Sequence, residues 1–118
     1  MRFRFPNSAR LKRASEFRRV KEQGKTANGK YLLLGVFQTG GTQPAQVGLI
    51  TSGRIGCAVE RNRVRRRLRE LARKTRPEIL PGTHLVIIAR RSAVSASFSQ
   101  LEQDWLRTTQ KAGILKGS

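Results

Sequence analysis

Apolar and polar positions along this chain follow two periods, and the switches between them mark its elements. Phe17 and Val20 share one helical face while Arg18, Arg19 and Lys21 are polar, which predicts a first helix from about Ser15 to Gln23. Ser15 suits its N-cap, Glu16 its first turn and Gly24 its C-terminal end. Residues 25–30 read as a turn helped by Asn28-Gly29. Tyr31 to Gln38 has the apolar density of a strand covered on both faces. Thr39-Gly40-Gly41-Thr42 predicts a hairpin connection into a second strand, about Ala45 to Thr51. A long helix is predicted from about Cys57 to Thr75, stopped by Pro77, with a turn at Pro81-Gly82. Leu85 to Ala89 is a short continuous apolar run, as in a central strand. The last helix, about Phe98 to Ala112, opens with Ser97 and Gln100 in capping-box register and ends at Gly113. Phe98, Leu101, Trp105 and Thr109 line its inner face. The order α-β-β-α-β-α predicts an α+β fold of two packed layers in one domain, 1–118. Residues 1–13 form a basic, extended arm in this reading, with Leu11 as its anchor.

The long helix dominates the pattern. Between Arg61 and Lys74, Val64, Leu68, Leu71 and Ala72 fall on one stripe at about 100° per residue. Asn62, Arg65, Arg66, Arg69 and Arg73 fall roughly opposite, and Arg63, Arg67 and Lys74 flank them. One side can therefore dock on a core while the other presents guanidinium groups turn after turn. Like charges at this spacing repel, and a polyanion along the outer face would relieve that strain.

Charge strengthens the inference. The chain has 25 Lys and Arg against 7 Asp and Glu, a formal net charge of +18. Ten basic residues lie in 1–30 and ten in 54–76, so the excess is directed rather than spread. Arginine outnumbers lysine in the helix, which favours bidentate phosphate contact and stacking on bases. The apolar run from Tyr31 to Phe37 is too short to span a bilayer. The N-terminus lacks the pattern of a secretory leader. The single cysteine, Cys57, excludes an internal disulfide and fits a cytoplasmic protein with a small buried or half-buried thiol.

Self-contained catalysis finds little support. With His84 alone, a two-imidazole nuclease is excluded, and His84 reads as structural or solvated. The carboxylates Glu16, Glu22, Glu60, Glu70, Glu78, Glu102 and Asp104 are dispersed. No Cys/His spacing suggests zinc, and no glycine-rich run suggests a phosphate-binding loop. Phe17, Tyr31 and Phe37 offer aromatic surface near positive charge, either as core or as stacking platforms. Trp105, at helical spacing with Phe98 and Leu101, reads as core.

The run Val47-Gly48-Leu49-Ile50-Thr51-Ser52-Gly53-Arg54-Ile55-Gly56-Cys57-Ala58-Val59-Glu60-Arg61-Asn62-Arg63-Val64-Arg65-Arg66-Arg67-Leu68-Arg69 resembles the signature of the bacterial ribonuclease P protein subunit. That signature is a glycine-containing strand, a basic loop, then R-N-R-x-K/R-R-x-x-R on a helix. The likeness extends to Arg10-Leu11-Lys12, Glu16-Phe17, Val20 before Gly24, and Ile87-Ile88-Ala89-Arg90. It implies a fold like the second domain of ribosomal protein S5, with a left-handed β-α-β crossover. It also implies a ribonucleoprotein that hydrolytically removes the 5′ leader of precursor tRNA, with active site and Mg²⁺ in its RNA subunit. The expected partners are RNase P RNA, one protein per RNA, and precursor tRNA, with no membrane.

Carried over by residue, the resemblance assigns RNA contact to Arg61, Asn62, Arg63, Arg65, Arg66 and Arg69, with Arg54 and Arg73 beside them. It assigns the single-stranded leader to a cleft between the first helix and the sheet, at Phe17, Lys21, Tyr31, Leu33 and Phe37. Departures are local. Lys21 stands where many members carry a second aromatic, Gly53 replaces a common lysine, and Cys57 replaces a polar residue. The alternatives from the residues themselves are a ribosomal or ribosome-assembly protein and an independent metal nuclease.

Overall fold

The computed structural model describes residues 10, 11 and 13–116. Most of the predicted arm, 1–9 and 12, therefore lies outside the described residues. The helices are α1 (Ala14–Gln23), α2 (Ala58–Thr75) and α3 (Phe98–Ala112), and the strands are β1 (Lys25–Asn28), β2 (Leu32–Gln38), β3 (Gln46–Ile50) and β4 (Thr83–Ala89). The strands form one sheet in the order β1-β2-β4-β3.

This order corrects two expectations. Lys25–Asn28 is not a turn but a strand antiparallel to β2, and only Ala27 of its four residues is buried. A strand so polar has no alternation to betray it; β2 supplies its hydrogen bonds. The Thr39-Gly40-Gly41-Thr42 connection does not make a hairpin either. β4 lies between β2 and β3, antiparallel to the first and parallel to the second. The interior place goes to β4, whose continuous apolar run needs cover on both faces. With β3 and β4 parallel neighbours, β3-α2-β4 is a β-α-β unit.

The main core lies on one face of the sheet. Leu32, Leu34 and Val36 of β2, Val47 of β3, and Leu85, Ile87 and Ala89 of β4 pack there with Val64, Leu68, Leu71 and Ala72 of α2 and Leu101 and Trp105 of α3. The apolar stripe expected on α2 is thus its buried face. On the opposite face Leu11, Val20 and Val86 form a smaller cluster, with Phe17, Phe37 and Ile88 against it. This cluster seats α1, so the two main layers carry a partial third.

Caps explain the helix ends. Ser97 and Gln100 form the expected capping box, Ser97 Oγ accepting from Gln100 N–H (3.1 Å) and Gln100 Oε1 from Ser97 N–H (2.9 Å). Gly113 ends α3 in the left-handed conformation, φ 69°. α1 differs from expectation: it starts at Ala14, and Glu16 Oε1 accepts from Arg13 N–H (3.0 Å), so Arg13 rather than Ser15 is the cap.

Asp104 fixes α3 to the sheet. Its carboxylate is fully buried and accepts from the backbone N–H of Lys30 (2.9 Å) and Tyr31 (2.8 Å), with Arg107 at 3.1 Å. Burial pushes the acid upward, but Tyr31, Lys30 and Arg107 outweigh it and hold the carboxyl below its ordinary value. Trp105 is fully buried, and its indole N–H donates to Thr75 Oγ1 (2.8 Å), joining α3 to the end of α2. Asp104→Ala would leave two backbone donors unpaired and should cost about 1–3 kcal/mol at neutral pH. Because the folded-state acid is the stronger one, its contribution is complete above the unfolded carboxyl pKa of about 3.9 and fades as pH falls through the lower folded value. Urea denaturation from pH 7 downward should show the gap between wild type and variant closing only in that acid range.

Candidate nucleic-acid interface

The register of the sheet builds the face that α1 covers in three rows across β2, β4 and β3. Phe37, His84 and Gln46 form one, Gly35, Val86 and Gly48 the next, and Leu33, Ile88 and Ile50 the third. The two glycines of the middle row are where α1 lands. A Cβ on Gly35 would lie 2.9 Å from Val20 Cγ1, and one on Gly48 would lie 2.5 Å from the Phe17 ring. Strand interiors disfavour glycine, and its presence here marks a close approach. α1 thus rests on a trough, with a row of larger side chains on either side.

The leader residues assigned by resemblance divide on this frame. Phe17 is half-buried over Gly48, Phe37 packs in the same cluster with Arg19 over its ring at 5.8 Å, and Leu33 sits opposite Ile88 on the same face. Lys21 is exposed on α1. Tyr31 departs from the group: it precedes β2, packs with the main core and has Lys30 over its ring at 5.4 Å. His84 is half-buried on the α1 face, and its Nδ1 is enclosed without a partner.

The arginines of α2 also divide, because several hold the fold together. Arg65 donates from Nε (3.2 Å) and Nη2 (2.8 Å) to Thr51 Oγ1 after β3, and Arg76 Nε donates to Ala45 O (2.8 Å) before it. On the other flank Arg63 Nη2 donates to Val94 O (3.2 Å) and Arg67 Nη1 to Ala96 O (3.0 Å). Arg73 pairs with Glu70. Asn62, Arg66 and Arg69 are exposed, as is Arg54 in the short turn Gly53–Ile55. Arg61 is half-buried with its Nε enclosed and without a hydrogen-bond partner.

One participant escaped the sequence reading. Arg10 bridges in parallel to Val47 on the outer edge of β3, where Leu11 N–H donates to Val47 O (3.1 Å). Arg10 thereby joins Arg69 and Arg65. Partial burial first, then the charges of Arg10 and Arg65, hold the Arg69 guanidinium below its ordinary pKa. Arg10 Nε is also buried without a partner. Phe17, Gly48, Leu68, Arg10 and Arg69 line one cavity of about 160 Å³, so the α1 cleft and the cationic helix adjoin. A strand-pairing arm was the missing signal, since Arg10 lies 59 positions from Arg69 in the chain.

Five of the seven carboxylates have structural work. Glu16 caps α1, Glu60 Oε1 accepts from Cys57 N–H (3.0 Å), Glu70 pairs with Arg73, Glu102 with Lys74 at 3.6 Å, and Asp104 holds the Lys30-Tyr31 turn. The Cys57 hydrogen bonds, then Arg63 and Arg91, outweigh partial desolvation and keep Glu60 below the ordinary carboxylate range. Among the described residues no three His, Cys, Asp or Glu side chains come together as a metal site. Cys57 is exposed rather than buried, because it occupies the N-cap of α2. No helix among the described residues is long and apolar enough to cross a membrane.

A small, strongly basic α+β domain whose cationic helix adjoins a cleft defines the class. A family model described as Ribonuclease P matches residues 5–113. The ribonuclease P protein component of Chloroflexus aggregans is 39% identical over 107 residues, covering 90% of this chain and 78% of that protein. That of a Roseiflexus species is 36% identical over 110 residues, covering 92% and 89%. The solved RNase P protein of Staphylococcus aureus superposes with a TM-score of 0.84 at 21% identity, over 92% of this chain and 98% of that one. The Thermotoga maritima RNase P protein gives 0.76 at 22%, over 86% and 96%. This chain belongs to the ribonuclease P protein family.

Gly48→Ala tests how α1 is seated. The added methyl group must displace the Phe17 ring, and overpacking of this kind costs about 1–3 kcal/mol. Amide exchange of Ala14–Gln23 should accelerate, while that of α3 follows global unfolding alone.

Proposed function

We propose that the chain is the protein subunit of a ribonucleoprotein that removes the 5′ leader of precursor tRNA, gripping the catalytic RNA and the leader together. The observation that carries this reading is the junction of Arg10, Arg65 and Arg69 with the cavity beneath Phe17. The positive charges of Arg10 and Arg65 both act on Arg69, a concentration that favours binding of a polyanion, and each phosphate neutralised releases counterions. Asn62, Arg66 and Arg69, exposed on α2, and Arg54 beside it are the phosphate contacts. Arg61 and Arg65 sit at the border of the buried stripe, Arg63 contributes charge while held by the Val94 carbonyl, and Arg73 is offset by its pair with Glu70. The leader lies along the α1 face, where Phe17, Leu33 and Phe37 offer apolar and aromatic surface and Lys21 a cation. Tyr31, packed on the main core, stands outside this path.

The chemistry belongs to the RNA subunit in this reading, whose Mg²⁺ supplies the activated water for phosphodiester hydrolysis. The residues of this chain position substrate and lower the repulsion between two RNAs. Reconstitution with a bacterial RNase P RNA tests it: the protein should raise leader removal at low Mg²⁺, and no gain would overturn it. Arg69→Ala should weaken binding of the RNA subunit and flatten the log–log salt slope by about 1. Phe17→Leu should leave that slope alone and reduce the preference for leader-bearing over mature tRNA. Equal losses on both ligands for both variants would refute this division.

A further inference from the structure

The far flank of α2 carries a second surface. Arg63, Arg66, Arg67 and Glu70 line a groove whose remaining wall is Phe98, the first residue of α3. Phe98 is half-buried: part of the ring packs on the main core and part faces the groove. Arg63 and Arg67 are not free to swing, because Val94 O and Ala96 O accept from them. Each guanidinium has five N–H donors, so most of that capacity remains. Arg66 stands exposed between them. Glu70 does not cancel this charge, since Arg73 already pairs with it and holds its carboxyl below the ordinary value.

We propose that this groove binds a single unpaired ribonucleotide, its phosphate on Arg63 and Arg66 and its base stacked on Phe98. A held guanidinium, Arg63, and the exposed Arg66 beside an aromatic ring match the two halves of a nucleotide, whereas an acidic peptide would satisfy the arginines and leave the ring uncovered. The site lies on the opposite flank of α2 from the Arg10, Arg65 and Arg69 junction, so both can be filled together. The inference rests on the proposed RNA-binding function. The nucleotide can come from RNase P RNA or from precursor tRNA, and each is measured separately.

The experiment compares full-length wild type, Phe98→Leu, Phe98→Tyr and Arg66→Ala for affinity to each RNA over a range of salt. Phe98→Leu should lose roughly 5- to 150-fold for one RNA with no change in salt slope, as expected for lost stacking. Phe98→Tyr should recover that loss, and Arg66→Ala should flatten the slope by about 1. Thermal melting and amide exchange of α3 report whether Phe98→Leu keeps its fold. Wild-type affinity of Phe98→Leu for both RNAs overturns the inference, and so does a loss that Phe98→Tyr fails to recover. If wild type itself binds neither RNA, the functional reading fails; if it binds and Phe98→Leu matches it, only this site does.

Discussion

Burial of four side chains on α2 is the interaction on which the rest depends. Val64, Leu68, Leu71 and Ala72 are each at most 2% exposed, and they pin to the sheet a helix that would repel itself in water. Six like-charge pairs stand at three- or four-residue spacing between Arg61 and Arg73, each costing roughly 0.2–0.5 kcal/mol. Full burial of a Val or Leu contributes about 1.5–3 kcal/mol. The apolar stripe therefore wins by a clear margin. A surface this cationic can exist because the opposite face of the same helix is so well buried.

The glycine trough is the second constraint. Gly35 and Gly48 let α1 approach the sheet closely enough that Val20 and Phe17 seal its middle row. A side chain at either position would meet Val20 or Phe17 and lift the helix from the sheet. The arm depends on the same strand, since Leu11 is tied to Val47 next to Gly48 and Arg10 is thereby delivered to Arg69. The cleft and the cationic junction thus share β3 as a wall, which couples the position of α1 to that of the basic arm.

Much of this was legible in the sequence, for identifiable reasons. The α2 stripe, the α3 capping box and the interior rank of β4 follow from periodicity and local chemistry, which act over a few residues. What escaped depended on distant partners. β1 is a strand only because β2 pairs with it, and the supposed hairpin fails because β4 occupies the place beside β2. Tyr31 alternates with Leu33 and Phe37 in sequence, but Asp104 captures its backbone N–H and the side chain turns toward the core. Arg10 reaches the site through an isolated bridge, which no window of local pattern contains. The helical part of the family signature falls on α2, and the fold separates its arginines by what each one touches.

That separation changes how charge on α2 should be interpreted. Arg65 and Arg76 tie the helix to the two ends of β3, while Arg63 and Arg67 tie it to the segment leading into α3. A guanidinium can do this without surrendering its charge, because one or two of its five donors reach a neutral oxygen and the rest stay outward. Lysine would serve less well, since its three donors radiate from one nitrogen and lack the planar fork that keeps a second N–H pair facing outward. The preference for arginine along this helix therefore has a structural cause as well as an electrostatic one. A neutral substitution at Arg63 or Arg67 would remove a positive charge and loosen the α2–α3 junction in one stroke, whereas at Arg69 it would remove charge from a side chain with no such carbonyl latch. Loss of a residue of the second kind removes charge while leaving the packing of the helix in place.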